Sequence, residues 1–341
     1  MSARAAGSRP GGTGGIALPV FLGAAGLGIS YVGRSNLLDP LVVSMVLGVV
    51  VRTWLGAGSR LGPGPALATR ILLPVGIVFY AFTNLNFGKV LELPASMSAL
   101  LVAVVVVFFF ATLLLGRAFR LRRQIAYLTA TGSAICGASA IAITSRAVDA
   151  EPDDVSTSLL AVTFAAVLCL FIFLPFLAAA SGFAGETYAL LAGSVLQFTG
   201  FVKVAVRNLP YLETTSSPER LTSLALSVKA ARYLVLIAAI PIVASLARKR
   251  LFLPAALWYF LGAGAAGSAM YAAAPAMHEG LAPLATAVHS ASWSVALASI
   301  GLQADARVLL SNNGAKALGV AVLGSVIATA VFFVGYRLLG P

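Results

Sequence analysis

Eleven long apolar runs, separated by short segments that hold most of the charge, constrain this chain more than any other feature. They lie at about 15–33, 38–56, 66–87, 97–116, 125–146, 157–180, 185–206, 222–246, 252–273, 281–302 and 314–338. A bilayer core takes roughly 20 apolar residues per helix, and each run meets that length. Lipid offers no partner to an open backbone, so runs of this kind are expected to be helices. Only 10% of the 341 residues are charged and 60% are hydrophobic, against about 25% charged in an average soluble domain. The chain reads as an all-α polytopic membrane protein with about 11 transmembrane helices. Residues 1–14 are expected to be a flexible Gly-rich tail and 15–341 a single transmembrane domain. The first run has no small-x-small cleavage site after a short core, so it is expected to be a retained helix.

The net charge of +12 does not point to nucleic acid, because the basic residues sit between apolar runs and form no patch interleaved with exposed aromatics. They fit membrane orientation. With the N-terminus inside, the cytoplasmic segments hold thirteen Lys and Arg residues and the outer ones six. That asymmetry predicts a plasma (inner) membrane protein with a cytoplasmic N-terminus and an outside C-terminus. The same count puts the acidic loop Asp149, Glu151, Asp153, Asp154 outside. The two cysteines, Cys136 and Cys169, lie inside apolar runs. They have no metal-ligand spacing and imply no disulfide framework.

Four cations fall within the runs: Arg70, Lys203, Lys229 and Arg232. All eleven Asp and Glu residues fall in loops or at helix ends. A cation near the bilayer midplane costs roughly 2.5–3.5 kcal/mol on insertion scales and so faces a partner or a cavity. Without acids nearby, its partners would be backbone carbonyls, hydroxyls or a bound anion. Lys229 and Arg232 are three residues apart and share a helix face. They read either as part of an anion pathway or as a tie to carbonyls freed by a helix break. Arg70 and Lys203 are near run ends, where snorkelling to the interface competes with a pathway role. His289 lies in the polar stretch His-Ser-Ala-Ser-Trp-Ser. It reads either as a cavity group able to shuttle a proton or as a satisfied interhelical histidine. His278 is expected in an outer loop.

The segment Thr131-Gly-Ser-Ala-Ile-Cys-Gly-Ala-Ser-Ala-Ile141 carries the most chemistry. Gly132, Ser133, Gly137 and Ser139 gather weak helix formers in mid-run. Glycine lets the backbone leave helical geometry, and serine can satisfy the groups so freed. A break here would aim helix N-terminal amides at a buried anion. Small residues at a tight helix crossing are the competing reading. A second, weaker pattern is an echo between 82–91 and 300–309, of the kind left by an internal repeat.

Gly132-Ser-Ala-Ile-Cys-Gly-Ala-Ser-Ala-Ile141 resembles the cysteine-centred signature of the YeiH-like sulfate exporter family. Other pieces resemble that family in the same order: Pro40 to Gly48, Arg70 to Ile77, Val228-Lys-Ala-Ala-Arg-Tyr233, Ala298 to Leu302 and Gly314 to Leu318. The likeness covers roughly 38–338. It implies a fold related to bile-acid symporters and cation–proton antiporters, with inverted repeats and discontinuous helices near the midplane. One departure stands out. The seventh run reads Gly193-Ser-Val-Leu-Gln197-Phe198, where the family has a His-Glu pair after Gly-Ser. Proton or Na⁺ coupling through that pair therefore does not carry over.

These observations lead to the expectation of a secondary transporter for a small anion: sulfate, a sulfonate or an organic carboxylate, with export as one direction. Gly132, Ser133, Cys136, Gly137, Ser139, Gly193, Ser194 and Gln197 would supply backbone and polar contacts, Lys229 and Arg232 the potential, and His289 a polar wall. The alternatives are a cation- or proton-coupled antiporter of the same fold and a non-transporting membrane partner protein. An enzyme is not expected, since no nucleophile–base or metal cluster is visible. No cofactor is implied. The expected partners are the small anionic substrate, the bilayer with acidic lipids at arginine-tipped helix ends, and a second copy in a homodimer.

Overall fold

A computed structural model describes residues 14–33, 40–55, 63–85, 88, 93–207, 217–248, 255–303 and 311–339. Most of the N-terminal tail, and parts of both segments of the 82–91/300–309 echo, lie outside the described residues. Every regular element among the described residues is helical: α1 (Gly14–Val32), α2 (Pro40–Leu55), α3 (Gly64–Asn84), α4 (Ala95–Ala118), α5 (Arg123–Ala134), α6 (Ala138–Ala147), α7 (Pro152–Leu168), α8 (Leu174–Ser181), α9 (Gly185–Val195), α10 (Thr199–Arg207), α11 (Pro218–Leu234), α12 (Leu236–Arg248), α13 (Ala255–Ala273), α14 (Pro275–Gln303) and α15 (Asn312–Leu339). Helices α7 and α8 are joined by one π-helical stretch, Cys169–Phe173. Among the described residues, seven helical stretches are long and apolar enough to cross a membrane.

Packing divides the helices into two bundles. Helices α1, α2, α3, α13 and α14 pack mainly on one another. Gly48 and Gly301 let α2 and α14 approach backbone to backbone, since a Cβ on either would strike the other helix's main chain. The second bundle holds α4 to α12 and α15. Its centre is dense with small buried residues, among them Ala130, Ala134, Ala140, Ala189 and Ala192.

The fifth and seventh apolar runs do not cross the bundle, which corrects their reading as spans. Helices α5 and α6 form a hairpin. Gly132 on α5 packs on Ile141 of α6, nine positions later, whereas a continuous helix would separate them by roughly 13 Å at 1.5 Å per residue. At the base, Arg122 pairs with Glu151 at 3.3 Å and with Asp154 at 3.1 Å. Both ends of the hairpin therefore lie at one end of the molecule. Ser158 on α7 also donates to the Ile125 carbonyl at 3.4 Å. The acidic loop 149–154 thus shares an end with the basic segment around Arg122, not the opposite one.

Helices α9 and α10 form a second hairpin. Glu186 at the start of α9 pairs with Arg220 at the start of α11 at 2.9 Å. Gly193 lies against Ala225, so α9 and α11 run parallel. Helix α10 runs back along α11. Thr199 bonds the Tyr233 hydroxyl at 2.6 Å, and Lys203 shares a cavity wall with Ser223 and Ser227, nearer the start of α11. Between the hairpins the 30-residue stretch Pro152–Ser181 spans roughly 45 Å at helical rise. The second hairpin therefore enters from the end opposite the first. Consistent with this, Tyr336 near the end of α15 bonds Thr187 at 2.8 Å.

This arrangement predicts a labelling pattern. In a background with Cys136→Ala and Cys169→Ala, Arg120→Cys and Asp153→Cys should react with an impermeant thiol reagent from the same face. Glu186→Cys and Arg220→Cys should react from the other face. Opposite-face labelling of 120 and 153 would mean that α5 and α6 cross.

Candidate functional site

The two hairpin tips meet in the middle of the second bundle, and the local backbone explains how each is made. Helix α5 ends at Ile135 (φ −118°, ψ −85°), and Gly137 (φ +63°, ψ −118°) starts α6. The Gly137 amide closes a wide turn onto the Gly132 carbonyl at 2.9 Å. A positive φ of this kind is open to glycine and strained for other residues. In addition, a Cβ on Gly137 would stand 2.8 Å from the Phe198 ring of the other tip. Gly137→Ala is therefore expected to destabilise the protein by about 1–3 kcal/mol, seen as a lower melting temperature in detergent. An unchanged value would show that the tip can move aside. The turn of the second tip, 196–198, has no glycine: α9 ends where Leu196 turns extended (φ −65°, ψ 138°).

Each tip brings the C-terminal end of one short helix beside the N-terminal end of another. The last carbonyls of a helix lack internal partners and carry about half a negative charge, and the first amides carry the opposite charge. Here the C-terminal carbonyls of α5 and α9 face α11. Lys229 Nζ donates to the carbonyls of Ile135 at 2.8 Å and Leu196 at 2.7 Å. Arg232 donates through Nε and Nη2 to Ala134 at 3.2 and 2.8 Å, and through Nη2 to Ser133 at 3.1 Å. Its Nη1 donates to Leu196 at 2.7 Å and Gly193 at 3.4 Å. Arg232 is fully buried and Lys229 is 1% exposed. Of the two readings of this cationic pair, the bonds support the tie to freed carbonyls. All three guanidinium nitrogens are engaged with backbone, so Arg232 is not a hand held out to a ligand.

The N-terminal ends of α6 and α10 face the other way, into a cavity of about 360 Å³. Cys136, Ala138 and Ser139 line it from the first tip, and Phe198, Thr199, Gly200 and Lys203 from the second. Tyr80, Thr83, Asn84, His289 and Trp293 close it from the other bundle. Tyr80 stacks on Trp293 at 5.1 Å, and His289 packs against both rings. A smaller cavity of about 240 Å³ continues past Lys203, Asn84 and Thr199 to Lys229, Tyr233, Tyr271 and His278. Among the described residues, no Asp or Glu lines either cavity.

The expected site residues thus separate into groups. Cys136, Ser139 and His289 line the larger cavity, and Lys229 touches the smaller. Ser139 donates to the Cys136 sulfur at 2.7 Å. Gly132, Ser133, Gly193 and Arg232 lie behind the tips as packing and carbonyl contacts, and Gly137 forms a tip turn. Gln197 points away from the cavity and donates to Ser325 on α15 at 3.1 Å. Ser194 is fully buried and its hydroxyl has no hydrogen-bond partner among the described residues. Arg70 lines a separate cavity of about 460 Å³ at the base of the first hairpin, beside Arg146 and Asp149. There Arg146 donates to the Arg70 carbonyl at 3.0 Å, an acceptor that Pro74, lacking an N–H, leaves open within α3. Of the two readings of Lys203, snorkelling to the interface does not hold, because the return of α10 brings the side chain into both cavities. Sequence reasoning also passed over Tyr80, Asn84, Thr199, Tyr233 and Trp293. The polar pair Thr83-Asn84 at the end of an apolar run was the one available signal for that wall.

Comparison with known proteins follows the same limits of the chain. The family model described as "Conserved hypothetical protein 698" matches residues 15–321. A UPF0324 membrane protein of Brucella melitensis is 27% identical over 321 residues, covering 88% of this chain and 84% of that protein. One from Archaeoglobus fulgidus is 29% identical over 297 residues, covering 83% and 84%. One from Corynebacterium glutamicum is 33% identical over 156 residues, covering 46% and 44%. No solved structure matches the chain.

Proposed function

The chain belongs to the Conserved hypothetical protein 698 family of membrane proteins, and from that premise we propose that it is a secondary transporter of a small anion. The observation that carries this reading is the cavity between the bundles. Two helix N-termini and the Lys203 ammonium line it, and among the described residues no acid does. Helix N-termini favour anions through free amides and the helix dipole. On the opposite side of the tips, Lys229 and Arg232 neutralise the C-terminal ends, so the field left in the cavity is positive. Tetrahedral oxyanions such as sulfate or an alkanesulfonate suit such a site, with carboxylates as competitors, and the resemblance to the YeiH-like exporter family agrees with it. A cation or proton antiporter fits less well, because among the described residues neither cavity is lined by a carboxylate. The reading is of a transporter and not of an enzyme, working without a cofactor.

The proposed topology has nine crossings and two hairpins entering from opposite faces, in place of eleven crossings. Placing the first hairpin's base inside moves Arg146 to the cytoplasmic group, and thirteen against six becomes fourteen against five. The charge asymmetry then supports a cytoplasmic N-terminus and an outside C-terminus in the plasma membrane more firmly. Each hairpin is followed by a long interrupted helix, α7–α8 or α11–α12, of opposite direction. This is the form of an inverted repeat, the arrangement through which transporters alternate access. It replaces the 82–91/300–309 echo as the candidate repeat.

The test is binding, then uptake. Sulfate or an alkanesulfonate should raise the melting temperature of the purified protein above that in chloride at equal ionic strength, since a ligand of the folded state stabilises by mass action. Proteoliposomes should then accumulate the radiolabelled anion. No stabilisation and no uptake across sulfate, sulfonates and carboxylates would sink the reading.

A further inference from the structure

The carbonyls at the hairpin tips hold the geometry of a cation site, and the occupant belongs to the chain. Ile135 comes from a hairpin entering at one end of the molecule and Leu196 from a hairpin entering at the other. Their carbonyl oxygens converge on Lys229 Nζ at 2.8 and 2.7 Å. Both are C-terminal carbonyls of short helices, each end carrying about half a negative charge. Two such ends brought together repel, and a cation between them removes the repulsion. Arg232 satisfies the deeper carbonyls at Ser133, Ala134 and Gly193 in the same way and shares the Leu196 carbonyl at 2.7 Å. The two positions differ in access. Lys229 lines the cavity it shares with Thr199 and Tyr233. Arg232 is fully buried and lines neither of the two cavities beside the tips.

We infer that the Ile135–Leu196 carbonyl pair is a monovalent-cation site that the chain fills with its own Lys229 ammonium, so that joining the tips needs no Na⁺ or K⁺ from solution. Truncating Lys229 would expose the site to the cavity, where a small free cation can enter with water completing its shell. Truncating Arg232 would leave a site that solution cations do not reach. This inference concerns how the tips are held and is independent of which anion is carried.

The experiment measures stability, so its result does not depend on transport. Wild-type protein, Lys229→Ala and Arg232→Ala are melted in chloride salts of choline, Na⁺, K⁺ and NH₄⁺ at one ionic strength. The wild type is expected to melt at the same temperature in all four. Lys229→Ala is expected to melt at least about 5 °C lower in choline, a shift of the size that losing two buried charged hydrogen bonds gives in a protein of this length. At least half of that loss should return in one or more of the small cations with saturable dependence. Arg232→Ala should show no such return. A saturable Na⁺ or K⁺ stabilisation of the wild type would overturn the inference. So would Lys229→Ala that is as stable as wild type in choline, or that is destabilised but indifferent to all three cations. If Lys229→Ala cannot be purified folded, Lys229→Gln, whose amide can still donate to one carbonyl, takes its place with the same expected cation response, and the wild-type arm stands by itself.

Discussion

Replacing Arg232 by alanine is expected to unfold the centre of the molecule more than any other single change at the tips. The guanidinium satisfies the carbonyls of Ser133, Ala134, Gly193 and Leu196 while fully buried. Each buried acceptor left without a donor costs about 1–3 kcal/mol. Two or three such losses together are comparable to the net stability of a whole domain, about 5–15 kcal/mol. The measurable result is a large fall in melting temperature and in folded yield, with transport lost as a consequence. Arg232→Lys keeps the charge but gives up the planar fork of donors. It is expected to recover part of the stability, because the three N–H groups of an ammonium cannot satisfy the four carbonyls that the five of the guanidinium reach. Full stability and full transport in Arg232→Ala would show that water or a shift of the tips replaces the guanidinium.

The second large effect is expected at Lys203, and it separates binding from folding. This side chain is half-buried, lines both cavities and sits on the helix whose N-terminus faces the larger one. A unit charge about 4 Å from an anion contributes roughly 4 kcal/mol at an effective dielectric of 20, and partial exposure reduces that. Lys203→Glu reverses the sign in a cavity that no acid among the described residues lines. Apparent anion affinity should fall by at least about 100-fold, the equivalent of about 2.8 kcal/mol, with a melting temperature close to that of the wild type. Lys203→Ala should lie between the two. Competition of unlabelled anion against radiolabelled uptake in proteoliposomes reads this directly. Unchanged affinity in Lys203→Glu would remove the cavity from the anion's path. On straight helices Arg232 would lie nearer the middle of its run than Lys203, which would place the two the other way round for a substrate.

The reversal has a physical origin. Depth in a membrane was assigned from position along each apolar run, on the premise that a run of about 20 residues crosses the bilayer. A hairpin of two half-length helices satisfies the same length and the same backbone hydrogen bonding. Hydropathy therefore does not distinguish 125–146 as a crossing from 125–146 as an excursion and return. Lys203, placed near the interface on the first premise, turns back toward the start of α11 on the second. The acidic loop moved for the same reason. Its position is marked by Arg122 bonded to Glu151, 29 residues apart, a separation to which no local pattern is sensitive.

What the sequence by itself determined was local: helices of membrane length, the interruption between Gly132 and Ser139, and the placing of Lys229 and Arg232 on one face. Each follows from side-chain polarity, from glycine's conformational freedom or from helical periodicity, all of which act within a few residues. What only the tertiary structure decided was the direction of the chain after each interruption, the carbonyls that Lys229 and Arg232 would meet, and the wall that Tyr80, His289 and Trp293 build opposite the tips. These depend on contacts between segments far apart in the chain, such as Glu186 with Arg220 and Lys229 with Ile135. A broken helix can continue onward or turn back with its backbone equally satisfied, and here the long-range partners select the turn.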